Sequence, residues 1–425
     1  MKVRIGQRRT SSNSTVSIPA GKSTSHRVLI AASLAKGRSL IRNISQNDDV
    51  FATSRCLREA GTVIVRHDNS AEVFGLQNPE SDREILLDAG ESGSTLRFLI
   101  PVLMNEHRTC VWTGHGRLME RPMDIYEELF EAQKIQFRKE GKIWEIRGRL
   151  RPGEYVIPGN VSSQFISGLL FELPRLAGDS VIRITGKFES QSYVRLTEKA
   201  LSYAGITVKD EGNIIHIPGN QVYKPFETTV DGDDSSAAFF GVLAAITGKP
   251  VTVLGIAHDS VQPDHVIFEI LKRAGLEVVP VDDGYKFLPG KELKPLKEDL
   301  SDCPDLGPAL FALAAMIPGK SEFTGTARLR FKESDRIASM KEELGKLGCK
   351  LTDTENSVTV YGGSKLHGNV SVESHNDHRI VMAMSVLASA LEEPVDVEGA
   401  DCVSKSFPEF FNRLEKAGVE VTYYD

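Results

Sequence analysis

Cysteine and tryptophan are scarce in this chain of 425 residues, which contains five cysteines and two tryptophans. The cysteines stand singly at positions 56, 110, 303, 349 and 402, and no two of them form a CxxC pair. This spacing excludes a disulfide framework and a zinc knuckle, and it is typical of a protein in a reducing compartment. Cys110 lies in an alternating apolar stretch, RTCVW, so we expect it to pack in the core.

Long apolar runs are also missing. The longest predominantly apolar segment, residues 380–391, is shorter than the roughly 18 residues that a membrane-spanning helix needs. The first 17 residues, MKVRIGQRRTSSNSTVS, contain no apolar segment of the kind found in a signal peptide. We therefore expect no membrane insertion, no secretion and a cytoplasmic location.

Positive charge is not in excess. The chain has 51 Lys and Arg against 58 Asp and Glu, which gives a formal net charge of −7. A nucleic-acid-binding protein would need a basic face, so the composition argues against a nucleic acid partner. Any site for an anion must therefore be a local concentration of cations. The composition is otherwise that of a globular enzyme, with 40% hydrophobic and 26% charged residues.

One sequence phrase recurs along the chain: a leucine, three further residues, a glycine and then a short strand pattern. A degenerate copy, FEAQK, has Lys134 in place of the glycine. The copies end at positions 61, 134, 205, 275, 348 and 418, which are 73, 71, 70, 73 and 70 residues apart. The sequence therefore predicts six repeats of about 71 residues.

A second phrase follows the same spacing: a helix pattern rich in small apolar residues, a turn and a strand pattern, as in GVLAAITGKPVTVLG. Each repeat should therefore hold two helices and several strands, which predicts an α/β (α+β) fold. Repeats of this size would not stack as a thin solenoid. We expect two domains of three repeats each, joined near the Gly- and Pro-marked segment 218–232, with a cleft between them.

Polar clusters precede the predicted helices. Ser, Thr, Asp and Asn are ordinary N-cap residues, and capping suffices for the cluster around Asp233. Other clusters also contain Lys or Arg, which oppose the helix dipole, so we expect an anion at those helix starts. They are GKSTSHR (21–27), GESGSTLR (90–97), RLMERP (117–122), KESDR (332–336), NDHR (376–379) and KSFP (405–408). The helix starts should face the cleft and bind a polyanionic ligand.

Two short motifs suggest other functions. AGKST at 20–24 is similar to the end of a P-loop, but that motif requires glycine where the chain has Val16. His375 and His378 could ligate a metal, yet no cysteine accompanies them and Arg379 follows directly. That setting suits a phosphate or carboxylate better, and we expect no metal site.

The motifs together resemble those of the 3-phosphoshikimate 1-carboxyvinyltransferase family of enolpyruvyl transferases. The resemblance runs the whole length of the chain, through GKSTSHR, GESGSTLR, GRLMERP, VSSQF, the Pro-Asp at 304–305, LRFKESDR, NDHR and SKSFP in family order. It implies the two-domain enolpyruvyl transferase fold, with three repeats in each domain. It also implies that the first residues return to the second domain, which gives domains 13–228 and 229–425 plus 1–12.

The reaction that the resemblance implies joins phosphoenolpyruvate to the 5-hydroxyl of shikimate 3-phosphate and releases phosphate. The two substrates bring together about six negative charges, which explains the clustered cations. For phosphoenolpyruvate the family match implies Lys22, Gly93, Arg121, Gln164, Arg336, Arg379 and Lys405. For shikimate 3-phosphate it implies Lys22, Ser23, Arg27, Ser162, Ser163, Gln164, Ser190, Tyr193, Asp305 and Lys332.

The same resemblance implies catalytic roles. Asp305 is the expected base for the hydroxyl proton, and Glu333, together with Lys22, handles the proton of the phosphoenolpyruvate methylene. Taken alone, Glu333 could be an exposed glutamate that is favourable in the first turn of a helix. No cofactor is expected, and a monomer is the family expectation.

Two positions depart from the family pattern. Many members carry Asn after the glycine that is Gly90 here, whereas this chain has Glu91, and some carry Asn where it has Arg328. A carboxylate would repel phosphoenolpyruvate, so we expect Glu91 to point away or to pair with Arg97. Both departures are left out of the predicted site.

The family match also implies that the herbicide glyphosate binds in the phosphoenolpyruvate site beside Gly93. Two alternatives remain open. The first is the sister enolpyruvyl transferase for UDP-N-acetylglucosamine, whose members usually have a loop cysteine where this chain has WTGHGR (112–117) and lack KESDR. The second is an inactive anion-binding protein of the same fold, which the presence of both Asp305 and Glu333 disfavours.

Overall fold

The structure, a computed structural model, describes residues 1–9, 13–76 and 82–424. The chain divides into two compact units. The N-terminal unit is Ala20–Val230, and the C-terminal unit combines Met1–Pro19 with Asp231–Asp425.

Twelve α-helices lie in the described residues, six in each unit. The N-terminal unit has α1 (Lys22–Leu34), α2 (Asp48–Glu59), α3 (Gly93–Leu103), α4 (Asp124–Gln133), α5 (Ser163–Glu172) and α6 (Gln191–Tyr203). The C-terminal unit has α7 (Asp234–Thr247), α8 (Ile267–Arg273), α9 (Gly307–Met316), α10 (Arg336–Lys346), α11 (His378–Ala388) and α12 (Phe410–Lys416).

The strands are equally divided. The C-terminal unit has β1 (Lys2–Ile5), β2 (Ser14–Ser17), β15 (Val251–Leu254), β16 (Glu277–Val281), β17 (Gly284–Leu288), β18 (Lys297–Asp299), β19 (Gly319–Thr324), β20 (Lys350–Asp353), β21 (Ser357–Gly362), β22 (Ser371–Glu373), β23 (Val395–Glu398) and β24 (Val421–Tyr424). The N-terminal unit has β3 (Arg38–Arg42), β4 (Val63–His67), β5 (Ser70–Phe74), β6 (Ile85–Asp88), β7 (Cys110–Thr113), β8 (Gln136–Glu140), β9 (Ile143–Arg147), β10 (Glu154–Pro158), β11 (Ser180–Thr185), β12 (Lys209–Asp210), β13 (Ile214–Ile217) and β14 (Glu227–Thr229).

In the described part of the chain, six four-stranded sheets repeat one pattern, a parallel pair followed by two antiparallel pairs. The N-terminal unit contains the strand orders β14-β3-β5-β4, β6-β7-β9-β8 and β10-β11-β13-β12. The C-terminal unit contains β2-β15-β17-β16, β18-β19-β21-β20 and β22-β23-β1-β24. With two helices to each sheet, the predicted α/β class of six similar repeats is confirmed.

The first residues of the chain complete two sheets of the C-terminal unit. β1 lies between β23 and β24, where Val3 is opposite Val397 and Tyr423. β2 pairs in parallel with β15. Because β2 belongs to this sheet, the unit boundary lies after Pro19 and not after residue 12 as predicted from the sequence. Residues 10–12, at the predicted boundary, lie outside the described residues.

The glycine of the recurring phrase follows the second helix of each repeat and has a positive φ in every copy. The angles are 104° at Gly61, 72° at Gly205, 107° at Gly275, 91° at Gly348 and 86° at Gly418. Lys134, in the degenerate copy, also adopts the left-handed conformation, with φ 57°. This position ends a helix, and glycine accepts a left-handed conformation there without the steric cost of a Cβ.

The two helices of each repeat differ in burial. The first helices, such as α7, α9 and α11, are buried on nearly all sides and form the centre of each unit. The second helices, such as α6 and α10, bury one face only. All five cysteines, including Cys110 in the core, are buried and free. Within the described residues, the helices are too short or too polar to cross a bilayer.

Candidate active site

Lys22 is the first residue of α1, in the N-terminal unit. Its ammonium group donates a hydrogen bond to Asp49 Oδ2 at 2.9 Å, and both side chains are largely buried. Asp49 lies in the first turn of α2, where the helix dipole favours a carboxylate. Within this unit, the partner of the Lys22 ammonium is a carboxylate of the chain itself.

Arg27, one turn farther along α1, ties this helix to α6. Its Nε donates to Thr197 Oγ1 at 2.8 Å, and its Nη2 donates to the Tyr193 carbonyl at 3.0 Å. Nη1 donates to the Ser23 carbonyl at 2.7 Å, and the guanidinium lies 4.8 Å from the centre of the Phe98 ring. Burial lowers the pKa of Arg27 to about 10, so it is still a cation at neutral pH. Arg27 thus brings Ser23 and Tyr193 together.

The predicted serines stand at the starts of α5 and α6. Ser162 is the N-cap of α5, and its Oγ accepts a hydrogen bond from the Gln164 N–H at 3.4 Å. Ser163 is the first residue of the helix and is buried. Ser190 precedes α6 with φ 54°, a left-handed conformation that is uncommon for serine. Backbone conformations of this kind concentrate at functional sites.

Gly93, at the start of α3, lies directly beside Arg121 and Gln164. A methyl group added at Gly93 would lie 2.9 Å from Arg121 Nη1 and 3.4 Å from Gln164 Oε1. Gln164 accepts a hydrogen bond from Arg97 Nη1 at 2.9 Å and donates one to Ser94 Oγ at 3.0 Å. The missing side chain at position 93 therefore lets the Arg121 guanidinium approach the start of the helix.

Arg336 organises the carboxylates of the C-terminal unit. It is the first residue of α10, and its side chain is only 1% exposed. Nη1 donates to Asp305 Oδ1 at 2.8 Å, Nη2 donates to Glu333 Oε2 at 2.7 Å, and Nε donates to Asp377 Oδ2 at 2.8 Å. Burial opposes the charge of Arg336, but the three carboxylates outweigh it and raise the pKa of the guanidinium. One cation therefore fixes both predicted catalytic acids.

Asp305 has two further cationic partners. Its Oδ1 accepts from Lys332 Nζ at 3.1 Å, and its Oδ2 accepts from Arg379 Nη2 at 3.2 Å. Burial lowers the pKa of Lys332, and the Asp305 carboxylate only partly offsets this effect. Asp264 is a buried acid of the same unit, and burial together with the Asp305 charge raises the pKa of Asp264 to about 7. Asp305 is thus a carboxylate held by three cations, and its charge acts on the buried acid Asp264.

Lys405 is held by the turn that precedes α11. Its Nζ donates to the Asn376 carbonyl at 2.7 Å and to Asn376 Oδ1 at 2.8 Å, and the lysine is 7% exposed. The next residue of that turn, Asp377, is the N-cap of α11 and binds Arg336. The two cations are therefore positioned by adjacent residues.

The prediction of cations at helix starts is confirmed for Lys22, Arg336 and Arg379, which are the first or second residues of α1, α10 and α11. It is wrong for Lys405, which ends a 3-10 turn five residues before α12, and for Arg121, which follows a 3-10 turn before α4. The physical reason is proline: Pro122 and Pro408 disfavour the helical conformation in the residues that precede them.

Sequence reasoning missed several residues that hold the site. Asp49 and Thr197 lie outside all the sequence motifs described above. Asp377 and Asn376 belong to the motif NDHR, but only the cation of that motif, Arg379, was predicted to lie in the site. Asp377 binds Arg336, and Asn376 binds Lys405. A buried carboxylate beside predicted cations was the signal that could have identified Asp377.

The two residues that depart from the family pattern, Glu91 and Arg328, have different neighbours. The Glu91 side chain lies beside Gly116. A methyl group added at Gly116 would lie 2.5 Å from Glu91 Oε2. The predicted alternative partner, Arg97, donates to Gln164 and to the Pro122 carbonyl. Arg328 donates a hydrogen bond to the Ser301 carbonyl.

Sequence comparison identifies close relatives over almost the whole chain. The sequence model of the family described as EPSP synthase (3-phosphoshikimate 1-carboxyvinyltransferase) matches residues 7–414. A 3-phosphoshikimate 1-carboxyvinyltransferase of Clostridium kluyveri is 41% identical over 409 residues, which cover 96% of this chain and 95% of the relative. The protein of the same name from Clostridioides difficile is 37% identical over 415 residues, covering 95% of this chain and 94% of the relative.

Solved structures show the same similarity. EPSP synthase from Acinetobacter baumannii superimposes with a TM-score of 0.79 at 27% identity, covering 99% of this chain and 100% of that one. The enolpyruvyl transferase NikO from Streptomyces tendae has a TM-score of 0.78 at 14% identity, covering 99% of this chain and 98% of that one. At that identity NikO shows a common fold only.

Proposed function

The chain belongs to the EPSP synthase (3-phosphoshikimate 1-carboxyvinyltransferase) family, and from that premise we propose which of its residues bind each substrate and move each proton. The enzyme transfers the enolpyruvyl group of phosphoenolpyruvate to the 5-hydroxyl of shikimate 3-phosphate and releases phosphate, a step of the shikimate pathway to the aromatic amino acids. The alternatives, a transferase for UDP-N-acetylglucosamine and an inactive anion-binding protein, are disfavoured by these relatives.

The residues proposed for phosphoenolpyruvate are mostly cations, and each unit contributes its own set. Arg121 supplies a guanidinium that approaches the start of α3 at Gly93. The other four cations of the set each have a carboxylate or carbonyl partner in the structure, so they are preorganised and the ligand exchanges one oxygen for another. The proposed residues are Lys22, Gly93, Arg121, Gln164, Arg336, Arg379 and Lys405.

The shikimate 3-phosphate site is centred on the hydrogen bonds of Arg27. The starts of α1, α5 and α6 present hydroxyls and backbone N–H groups, which suit a phosphate and a carboxylate. The proposed residues are Lys22, Ser23, Arg27, Ser162, Ser163, Gln164, Ser190, Tyr193, Asp305 and Lys332.

The observation that carries the proposed chemistry is that Asp305 and Glu333 bind the same guanidinium, through Nη1 and Nη2 of Arg336. Because the guanidinium is planar and rigid, it holds the two carboxylates at a fixed short separation. A reaction with two coupled proton transfers requires its acid and its base to be positioned in this way. The cations around Asp305 and Glu333 also stabilise the negative charge that the substrates carry during the reaction, and burial strengthens this effect.

The reaction is an addition followed by an elimination. Glu333, with Lys22, delivers a proton to the methylene carbon of phosphoenolpyruvate, and the 5-hydroxyl oxygen bonds to the adjacent carbon as its proton passes to Asp305. The resulting tetrahedral intermediate carries a methyl group and both oxygen substituents. Glu333, left as a carboxylate by the first step, takes back a methyl proton and the double bond is restored. The carbon–oxygen bond to phosphate breaks, and the departing phosphate takes the proton held by Asp305. The enolpyruvyl ether and phosphate leave, and no redox change occurs.

Phosphate release with different acceptors tests the assignment of the acceptor. We expect rapid release from phosphoenolpyruvate with shikimate 3-phosphate and none with UDP-N-acetylglucosamine, because the relatives of the chain are 3-phosphoshikimate 1-carboxyvinyltransferases. Release with the nucleotide sugar alone would overturn the assignment, and release with neither acceptor would favour an inactive protein.

We further propose that glyphosate inhibits by occupying the phosphoenolpyruvate site next to Gly93. In Gly93→Ala the new methyl would lie 2.9 Å from Arg121 Nη1, the flexible end of a side chain, so the protein should fold while Arg121 is displaced. Overpacking by one carbon costs about 1–3 kcal/mol, so the inhibition constant for glyphosate should rise about 5- to 150-fold, with a smaller rise in KM for phosphoenolpyruvate and little change in kcat.

Inhibition curves at fixed shikimate 3-phosphate measure this effect. Gly345→Ala is the matched control, because a methyl group there meets no atom within 4 Å and φ is not positive. Equal inhibition constants for wild type and Gly93→Ala would remove position 93 from the site.

We also propose that the enzyme is a cytoplasmic monomer, which its buried free thiols and the family resemblance support.

A further inference from the structure

The turn between β22 and α11 has an unusual backbone. His375 and Asn376 are consecutive non-glycine residues in the left-handed region, with φ 49° and 55°. Such conformations persist only where the surrounding structure holds them in place. Ser374 contributes by accepting a hydrogen bond from the Asn376 N–H at 3.1 Å. The turn leads directly into the residues that bind Lys405 and Arg336.

A buried glutamate on α10 holds this turn from behind. Glu343 has a fully buried side chain and lies two turns after Arg336 on the same helix. Its Oε1 accepts from His375 Nε2 at 2.6 Å, and its Oε2 accepts from the Glu373 N–H at 3.0 Å. Burial alone would raise the pKa of Glu343, but hydrogen bonds from His375, Lys346 and the Glu373 backbone outweigh it and lower the pKa.

The oxygen and nitrogen atoms of Glu342, Glu343 and His375 lie within 4.8 Å of one another, a spacing that could also fit a metal ion. The Lys346 ammonium lies 2.8 Å from Glu343 Oε2 and 3.5 Å from Glu342 Oε1. The cluster is therefore an ion-pair network in which a cation of the chain itself faces both carboxylates.

We propose that Glu343 and His375 are positioning residues of the enolpyruvyl transfer site, which fix the left-handed turn so that Asn376 holds Lys405 and Asp377 holds Arg336. The inference rests on the proposed function of Lys405 and Arg336 in binding phosphoenolpyruvate. The contacts of the turn run to two cations of the phosphoenolpyruvate set, so the larger effect is expected on that substrate.

Three substitutions test this role. His375→Phe retains a ring but removes the hydrogen bond to Glu343, and it should raise KM for phosphoenolpyruvate about 10-fold, with KM for shikimate 3-phosphate changed less than 2-fold. His375→Gln keeps an N–H donor and should restore most of the affinity. His367→Phe is the control, because His367 is an exposed histidine of the same unit. If His375→Phe raised the KM values of both substrates to the same extent, the cause would be a general loss of structure, and the positioning role would be wrong.

A double-mutant cycle separates this proposal from the proposed function. Lys405→Met should itself raise KM for phosphoenolpyruvate, and the effect of His375→Phe should be smaller in that background, because part of its action passes through Lys405. If Lys405→Met leaves this KM unchanged, the proposed binding site fails. If Lys405→Met raises it and His375→Phe does not, only the positioning role fails.

The pH dependence provides a third measurement. The charged groups that face His375 in the described residues are Glu343, Glu342 and Lys346, and the hydrogen bond to Glu343 raises the pKa of His375. A raised histidine pKa means that the ion pair is complete at low pH and is lost as the pH rises through the folded-state pKa. The ratio of KM for phosphoenolpyruvate in wild type to that in His375→Gln should therefore increase between about pH 6 and pH 9. A ratio that does not change with pH would show that the charge of His375 does not contribute to positioning the turn.

Discussion

Replacing Asp305 with asparagine is expected to lower kcat about 10²- to 10⁴-fold, the usual contribution of a general base. Asparagine keeps the shape of the side chain, and its Oδ1 can still accept from Lys332 and Arg336. Its amide nitrogen cannot accept from Arg379, and the amide cannot take the hydroxyl proton of the acceptor. The binding of shikimate 3-phosphate should therefore change much less than turnover. Steady-state kinetics together with calorimetric titration of this substrate measure the two quantities separately.

Asp283→Asn is the matched control for this substitution. Asp283 is an exposed aspartate of the same unit, in the hairpin turn between β16 and β17, so its neutralisation should leave both kcat and binding unchanged. A variant Asp305→Asn that turns over at nearly the wild-type rate would show that another group accepts the hydroxyl proton.

The second large effect is expected for Glu333→Gln. The amide can still hydrogen-bond to Arg336, whose Nη2 lies 2.7 Å from Glu333 Oε2, but it cannot deliver a proton to the methylene carbon. We expect kcat to fall about 10²- to 10⁴-fold, with a small change in KM for shikimate 3-phosphate, because Glu333 is not among the residues proposed to bind this substrate.

Single-turnover experiments show which step is lost. Formation of the tetrahedral intermediate should slow in Glu333→Gln, whereas Glu355→Gln, which neutralises an exposed glutamate in the turn between β20 and β21, should behave as wild type. Normal formation of the intermediate would assign the methylene proton to another residue, with Lys22 the next candidate.

The repeat organisation was predictable because each repeat carries local signals. A helix that ends in a left-handed residue requires only a few neighbouring residues, so the glycine of the recurring phrase marked the helix ends at Gly61 and Gly348. The copy at Lys134 shows the limit of the signal, since a lysine adopts the same conformation there. Helix starts with N-cap residues were also predictable, but Pro122 and Pro408 interrupted two of them, so Arg121 follows a 3-10 turn and Lys405 ends one.

The sequence by itself determined which residue types are present in each repeat and how the helices of each repeat begin and end, because capping, helix periodicity and turn conformation are interactions between near neighbours. Only the tertiary structure decided which charges meet. Arg379 reaches Asp305 across 74 residues, and Arg336 reaches Asp377 across 41. β1 pairs with β23 and β24 near the other end of the chain. A charge interacts with whatever the fold brings within a few ångströms, and that distance depends on the packing of helices and sheets, which the spacing of residues along the chain does not specify.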